Sequence, residues 1–390
     1  MVATLEYSDR IQLLLATIII IHRSMRIVFL IIVFVHALIH LLGFVKGFGI
    51  REVGELTVPV SKFMGIIGLT STILFLTYGV SFLLHFKYTW LLGIIAVVIS
   101  QLLIITYWQD ARFGTIPNML IFSVSIFSLG YFNFQMLVRQ ETNELHKQLA
   151  ISEDRNFSDN ELTELPEPVG NWLRNSGAVG KPLLNFGKIT QIAEMQMKPG
   201  QDKWLKATAT QHTTIDPPAF IWTVNVIFNH ILFFAGRDKF ENGKGEMLIK
   251  LNSLINIVNA HGEKIDEGSL QRYLGEMAWF PSLALSPYIT WQRIDHSTAK
   301  ATMTYKGTTG SGIFHFTPEG DVLKFSALRF KGNEANAKCY HWDMDVLDYK
   351  SFQGIKVPAK MTSTWKLDDG DWVWLKLEVI DIMYNQSENN

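Results

Sequence analysis

The chain changes character near residue 138, and that step constrains everything else. Residues 27–45, 63–84, 90–108 and 116–138 are four predominantly apolar stretches. Each is close to the ~20 residues a helix needs to cross the hydrocarbon core of a bilayer. Backbone N–H and C=O groups find no water there and must bond within their own segment, so all four stretches are expected as helices. Short links make neighbours antiparallel and predict a four-helix bundle. Trp90 and Trp108 bracket the third stretch at depths that suit amphipathic rings. Gly65, Gly68, Thr70 and Ser71 give the second a small-residue face for close helix contact.

Residues 1–24 fit this frame less well. The apolar run 11–21 is too short to span, and His22, Arg23 and Ser24 interrupt it. No small-residue cleavage site follows, which argues against a cleaved signal peptide. The stretch is expected as an extension lying on the membrane surface, with Met25 a natural first residue. Arg10, Arg23, Arg26, Lys87, Arg139 and Lys147 fall on one side of the bundle, against Lys46, Arg51, Lys62 and Arg112 on the other. This small excess favours a cytoplasmic N-terminus and, after four spans, a cytoplasmic C-terminal domain. If residues 11–21 also inserted, the domain would lie outside. The single Cys339 excludes an internal disulfide.

Polar side chains within the spans are functional candidates because they are costly in lipid. His36 and His40 are four apart and share a helix face. They could ligate a metal or bond across helices; without a third ligand the second reading is preferred, and no metal, haem or other cofactor is expected. Asp110 and Asn118, with Gln101 and Arg112, gather around the third connection. An interfacial position is expected for Asp110 and Arg112, ahead of a proton or substrate path through the group.

From residue 139 to 164 the chain is charged and aperiodic, and reads as a brief helical extension followed by a tether. Residues 165–385 then form a β-rich domain, and 386–390 a tail. Pro168 and Gly177 bracket one short amphipathic helix carrying Val169, Trp172 and Leu173. Alternation recurs over residues 188–197, 204–213, 219–228, 236–241, 289–294, 298–305, 313–317, 322–330, 342–349, 355–365 and 372–384. Asn242-Gly243 is a strong hairpin turn. About ten or eleven antiparallel strands would make a curled sheet or half-barrel. Two helices are expected within it. Met247, Leu248, Leu251, Leu254, Ile255 and Val258 make the apolar face of one, and Leu270, Tyr273, Leu274 and Met277 that of the other, which Pro281 stops. The fold class is thus a membrane all-α four-helix bundle followed by an α+β domain. That domain is slightly acidic and has no basic stripe, which argues against a nucleic-acid surface.

Several strings in this half are distinctive: LPEPVGNWLRNSGAVGKP, the run from Asp216 to Trp222, Gly236-Arg237-Asp238, the Gly-x-Gly-x-Met of residues 243–247, LQRYLGEMAWFPSLAL, and the closing strand 372–384. With these the chain resembles a family of bacterial proteins that has no established activity. Some members are similar in the four-helix front too, with its HALIHLLGF and WQDARFGTIPN. The resemblance implies residence in a bacterial inner (plasma) membrane. The strand–helix–strand order is also similar to the lipoprotein-carrier class, in which a curled antiparallel sheet wraps a helix and holds acyl chains.

Nine of the eleven tryptophans follow residue 138, and an aromatic sheet can line an apolar cleft or simply fill a core. Arg272 and Glu276, four apart, can form a solvated pair or join Arg237 and Asp238 around an anionic headgroup. Tyr273 is expected to keep its hydroxyl near the rim of such a pocket, with Trp279 and Phe280 closing its end. His315 lies between Phe314 and Phe316 on the opposite strand face and could be a general base or a structural residue. No serine or cysteine elbow stands out, His261 and His296 fall in expected loops, and the glycines at 243 and 245 do not make a phosphate loop. The leading expectation is a membrane-tethered binding module for a lipid or other hydrophobic ligand. The alternatives are an enzyme acting on a membrane-derived substrate and a structural partner of another membrane protein.

Overall fold

The computed structural model describes residues 2–149, 155–229 and 232–385, with side chains from residue 24 onward. The chain divides into two units, Met1–Gln135 and Met136–Asn390. Residues 150–154 of the expected tether, the tail 386–390 and the side chains of the N-terminal extension lie outside the described residues.

The first unit is helical: α1 (Val2–Gly47), α2 (Lys62–Leu83), α3 (Thr89–Thr106), the single turn α4 (Trp108–Ala111) and the start of α5 (Thr115–Lys147). Four segments are long and apolar enough to cross a membrane: Ser24–Gly47, Lys62–Leu83, Thr89–Thr106 and Trp108–Lys147. Phe29, Val33, Ala37, Phe75, Tyr78, Val97 and Ile121 interlock at their centre. At Gly68 a Cβ would stand 2.9 Å from the His40 carbonyl oxygen, so only glycine lets α2 approach α1 this closely. Thr70 points outward and bonds to its own helix, whereas Thr72 makes the cross-helix contact, donating to Ala37 O at 3.0 Å.

The second unit is built on one thirteen-stranded antiparallel sheet, curled into a half-barrel. A first meander contains β1 (Phe186–Met195), β2 (Leu205–Thr214), β3 (Ala219–Ile227), β4 (Phe233–Glu241), β5 (Lys244–Leu251) and β6 (Ile255–His261). A second contains β7 (Ile289–Arg293), β8 (Thr298–Tyr305), β9 (Thr308–Phe316), β10 (Val322–Phe330), β11 (Cys339–Phe352), β12 (Ile355–Leu367) and β13 (Gly370–Tyr384). Pairing of β1 with β13 joins the two, which leaves β6 and β7 as the edges. The chain crosses between those edges through α7 (Glu263–Gly275) and two short 3-10 turns. Leu270, Tyr273, Leu274, Met277, Trp279 and Phe280 from this crossover are all buried in the main core.

α6 (Glu167–Asn175) begins with Pro168 in its first turn and ends before Gly177, whose φ is +71°. Its Val169, Trp172 and Leu173 are buried, and the Trp172 ring stacks on Phe314. The charged stretch after residue 138 remains helical as far as Lys147. Leu145 there packs on Ala219 and Ile221, and Glu141 meets Arg237 at 3.1 Å.

One expected element is overturned: residues 247–258 are not a helix but belong to the β5–β6 hairpin, so the insert has one long helix, not two. Apolar residues at this spacing satisfy either period, and the deciding feature is the turn. Asn252 and Ser253 adopt φ of +49° and +59°, reversing the chain so that β5 pairs with β6 on one side and β4 on the other. These two strands account for the excess over the expected number. Ile255 and Ile257 on the edge strand are consequently exposed.

Candidate functional site

Strand alternation sorts the residues of β4. Arg237 and Asp238 are adjacent, so they leave the sheet on opposite faces. Arg237 pairs with Glu141 at 3.1 Å and Glu246 at 2.9 Å, while Asp238 turns to the concave face and meets α7. There Arg272 Nη1 donates to Asp238 Oδ2 at 2.9 Å, Nε to Glu276 Oε1 at 2.7 Å and Nη2 to Gln211 Oε1 at 3.1 Å. Gln211 Nε2 closes the ring by donating to Glu276 Oε2 at 2.7 Å. The guanidinium also lies 4.7 Å from the Trp222 ring centre and 4.8 Å from that of Phe220.

Beside this network opens a cavity of about 260 Å³. Its walls carry the indoles of Trp222, Trp279, Trp342, Trp365, Trp372 and Trp374 and the thioethers of Met247, Met344 and Met361. The register places Trp342 opposite Trp365 and Trp365 opposite Trp372, a row of three indoles across β11, β12 and β13. Trp279 Nε1 is tied to Pro358 O and Trp374 Nε1 to Ser363 Oγ, both at 2.9 Å, which fixes two of the rings. Asp238, Arg272, Glu276 and Arg329 are the ionisable groups lining it. Burial pushes the Asp238 carboxyl above the usual carboxylate range, against the opposing pull of Arg272, Arg237 and Arg329. Burial lowers the Arg329 guanidinium to about 10. Arg329 Nη2 donates to Gly268 O of α7 at 2.8 Å, and its Cζ stands 4.2 Å from the Trp342 ring centre and 5.8 Å from that of Trp365.

Of the residues singled out from sequence, Asp238, Arg272, Glu276 and Trp279 come together here. Three do not. Arg237 is on the other face of the sheet. Tyr273, expected near a rim, is 1% exposed; its hydroxyl donates to Thr214 O at 2.7 Å and its ring packs against both Phe220 and Phe240, because its helix position faces the filled part of the core. His315 sits beside Lys324 and Asp343 on the opposite strand face from buried Phe314 and Phe316; burial, then Lys324, lowers its pKa. Sequence reasoning missed Gln211 and Arg329. The signal for Arg329 was available, since it follows buried Phe325 and Ala327 at period two on β10.

The polar side chains of the apolar helices form a separate network in the first unit. His36 Nε2 bonds Asn118 Oδ1 at 2.9 Å, His40 Nε2 bonds Ser100 Oγ at 2.7 Å, and Asn118 Nδ2 donates to Ser100 Oγ at 2.9 Å and Gln101 Oε1 at 3.0 Å. Asp110 instead accepts from Thr57 N, Thr57 Oγ1 and Val58 N, pinning the α1–α2 loop. His36 and His40 line an otherwise largely apolar cavity of about 430 Å³. Among the described residues no three His, Cys, Asp or Glu side chains converge as metal ligands would.

Among solved structures, the chain is similar to a LolA superfamily protein from Nitrosomonas europaea, at 8% identity and a TM-score of 0.30, covering 56% of this chain and 94% of that one. It is also similar to a β-barrel-like protein of the domain of unknown function DUF1849 from Brucella abortus, at 7% identity and a TM-score of 0.21, covering 52% and 99%. No curated protein matches it. Residues 155–377, which contain the aromatic cavity and all four of its ionisable groups, match the family of unknown function DUF6544, and the chain belongs to that family.

Proposed function

We propose that this protein is a membrane-held binding module for a lipid or other hydrophobic ligand, which enters the tryptophan-lined cavity of the β domain. The observation that carries the reading is the cavity wall: six indoles and three thioethers around a few ionisable groups, most of them bonded to one another. Ligand sites of this kind are mostly apolar, with a small number of placed polar groups. In a curled sheet, inward side chains converge, so aromatic residues spaced along three strands build one concave surface. The four apolar helices supply the membrane attachment. Within this reading the chain resides in a bacterial inner membrane with the β domain on the cytoplasmic side, as the Lys and Arg distribution favours.

The test is mass spectrometry of molecules retained by the purified chain, compared between the wild type and Leu375→Trp, which fills the cavity from a half-buried wall position. A hydrophobic molecule held near one per chain by the wild type and depleted in the variant is expected. Equal retention by both proteins would sink the proposal. A second reading, an enzyme acting on a membrane-derived substrate, has one observation in its favour: the raised carboxyl of Asp238 could serve as a proton donor. Glu276 does not help it, because both its oxygens already accept hydrogen bonds from Arg272 and Gln211.

A further inference from the structure

The two guanidinium groups at the cavity are in different situations. Arg272 is fully engaged, with Glu276, Asp238 and Gln211 each taking one of its nitrogens. Arg329 is not. Its Nη2 reaches one backbone carbonyl, its Nε has no protein partner, and among the described residues no carboxylate lies within ion-pair distance of it. Asp238, Glu276 and Glu267 are near enough for their charge to be felt, yet none contacts it. Indoles lie against it at 4.2 and 5.8 Å and its Nε is enclosed, which leaves the terminal nitrogens as the part that can take a partner. A buried charge is costly unless it is paired, and a guanidinium edge matches the paired oxygens of a carboxylate or phosphate.

We infer that the molecule held in this cavity is an acidic amphiphile, whose carboxylate or phosphate monoester pairs with Arg329 and whose chain or ring lies against the indoles. This rests on the cavity being a hydrophobic-ligand site. At about 260 Å³ the space is slightly below the ~300–1,000 Å³ of common small-molecule sites. It therefore suits one chain or one ring system and not a whole two-chain lipid. A neutral head would leave Arg329 without a direct ionic partner, and a cationic head would be repelled by it.

Tryptophan emission of the full chain in lipid nanodiscs, with empty nanodiscs as control, reads binding directly, because six of the indoles line the cavity. The probes share one chain: octanoate, octyl phosphate, octanol and octylamine, with acetate and inorganic phosphate as chainless anions. Octanoate and octyl phosphate are expected to bind about tenfold or more tighter than octanol, the scale of one charge-assisted hydrogen-bonded pair. Octylamine should bind more weakly than octanol, and the chainless anions should show no saturable binding. R329Q should bring both anionic probes down to the level of octanol. Should R329Q fail to fold, the wild-type series decides alone. Saturable octanol binding with no anionic preference would overturn this inference and leave the hydrophobic-ligand reading standing. So would an anionic preference that survives in R329Q. Chainless anions binding as tightly as octanoate would also overturn it, making the site one for free anions. No saturable binding by any chain-bearing probe would remove both readings.

Discussion

Trp279→Ala and Trp372→Ala, compared side by side, test whether the cavity wall is part core and part ligand surface. Trp279 is 3% exposed and donates to Pro358 O at 2.9 Å. A buried tryptophan removes ~150–250 Å² from water, and at ~25 cal/mol per Å² that is about 4–6 kcal/mol. The alanine methyl keeps part of this contact, whereas the Pro358 carbonyl loses a partner worth ~1 kcal/mol. The expected loss is therefore about 3–5 kcal/mol, in line with other large-to-alanine changes in cores. For a domain of this size it lowers the unfolding midpoint by about 6–20 °C. Trp372 is only half-buried, in contact with Lys331 on one side and the cavity on the other. Its loss should cost about 1–2 kcal/mol and fall mainly on ligand retention. Circular dichroism of the β signal gives the midpoints, and extraction of the same samples gives the retained ligand. If Trp372→Ala destabilises as much as Trp279→Ala, or if Trp279→Ala is nearly neutral, then burial does not distinguish the two rings and the reasoning fails.

Burial raises the Asp238 carboxyl above its unfolded value of ~3.9, so the folded state holds a proton that the unfolded state releases. Stability should accordingly fall as pH rises from that unfolded value to the folded one, and Asp238→Asn should flatten this stretch of a midpoint-against-pH series; an unchanged slope would count against it. Gly245→Ala should cost about 1–3 kcal/mol in chemical denaturation, because its Cβ would lie 2.6 Å from Ile265 O and 2.4 Å from Ser269 Oγ, pressing β5 against α7. The pair Glu141–Arg237 is shielded, with side chains 12% and 6% exposed, so Glu141→Gln should cost about 1–2 kcal/mol by leaving Arg237 with Glu246 alone. A double-mutant cycle with Arg237→Gln in which the two losses simply add would remove this contact from the account.

Four long apolar helices, the hairpin turn at Asn242-Gly243, α6 between Pro168 and Gly177, and the apolar face of α7 could all be read along the chain, because each depends on neighbours within a few residues. Helix length against bilayer thickness, positive φ at glycine and asparagine, and 3.6-residue periodicity are local matters. Other features were not local. The stretch 247–258 fits a helical stripe as well as a strand pair, and the free edge of β4 together with left-handed turning at Asn252 and Ser253 settled it as a hairpin. Residues 308–312, rich in threonine and glycine, gave no alternation, yet they continue β9, where their small size lets α7 and Phe325 pack closely. For Arg237 and Asp238, sequence required only that they face opposite ways; which one faced the concave side depended on where α7 lay. Arg272 and Glu276 were legible as a helical pair, but Gln211, from a strand far away in sequence, completes their ring. The convergence of Arg329 with Trp342 and Trp365 likewise required the curl of the whole sheet. The chain alone determined its segments and their periods, since those follow from nearest-neighbour geometry; the tertiary structure decided which faces meet, since burial is a property of the assembled layers.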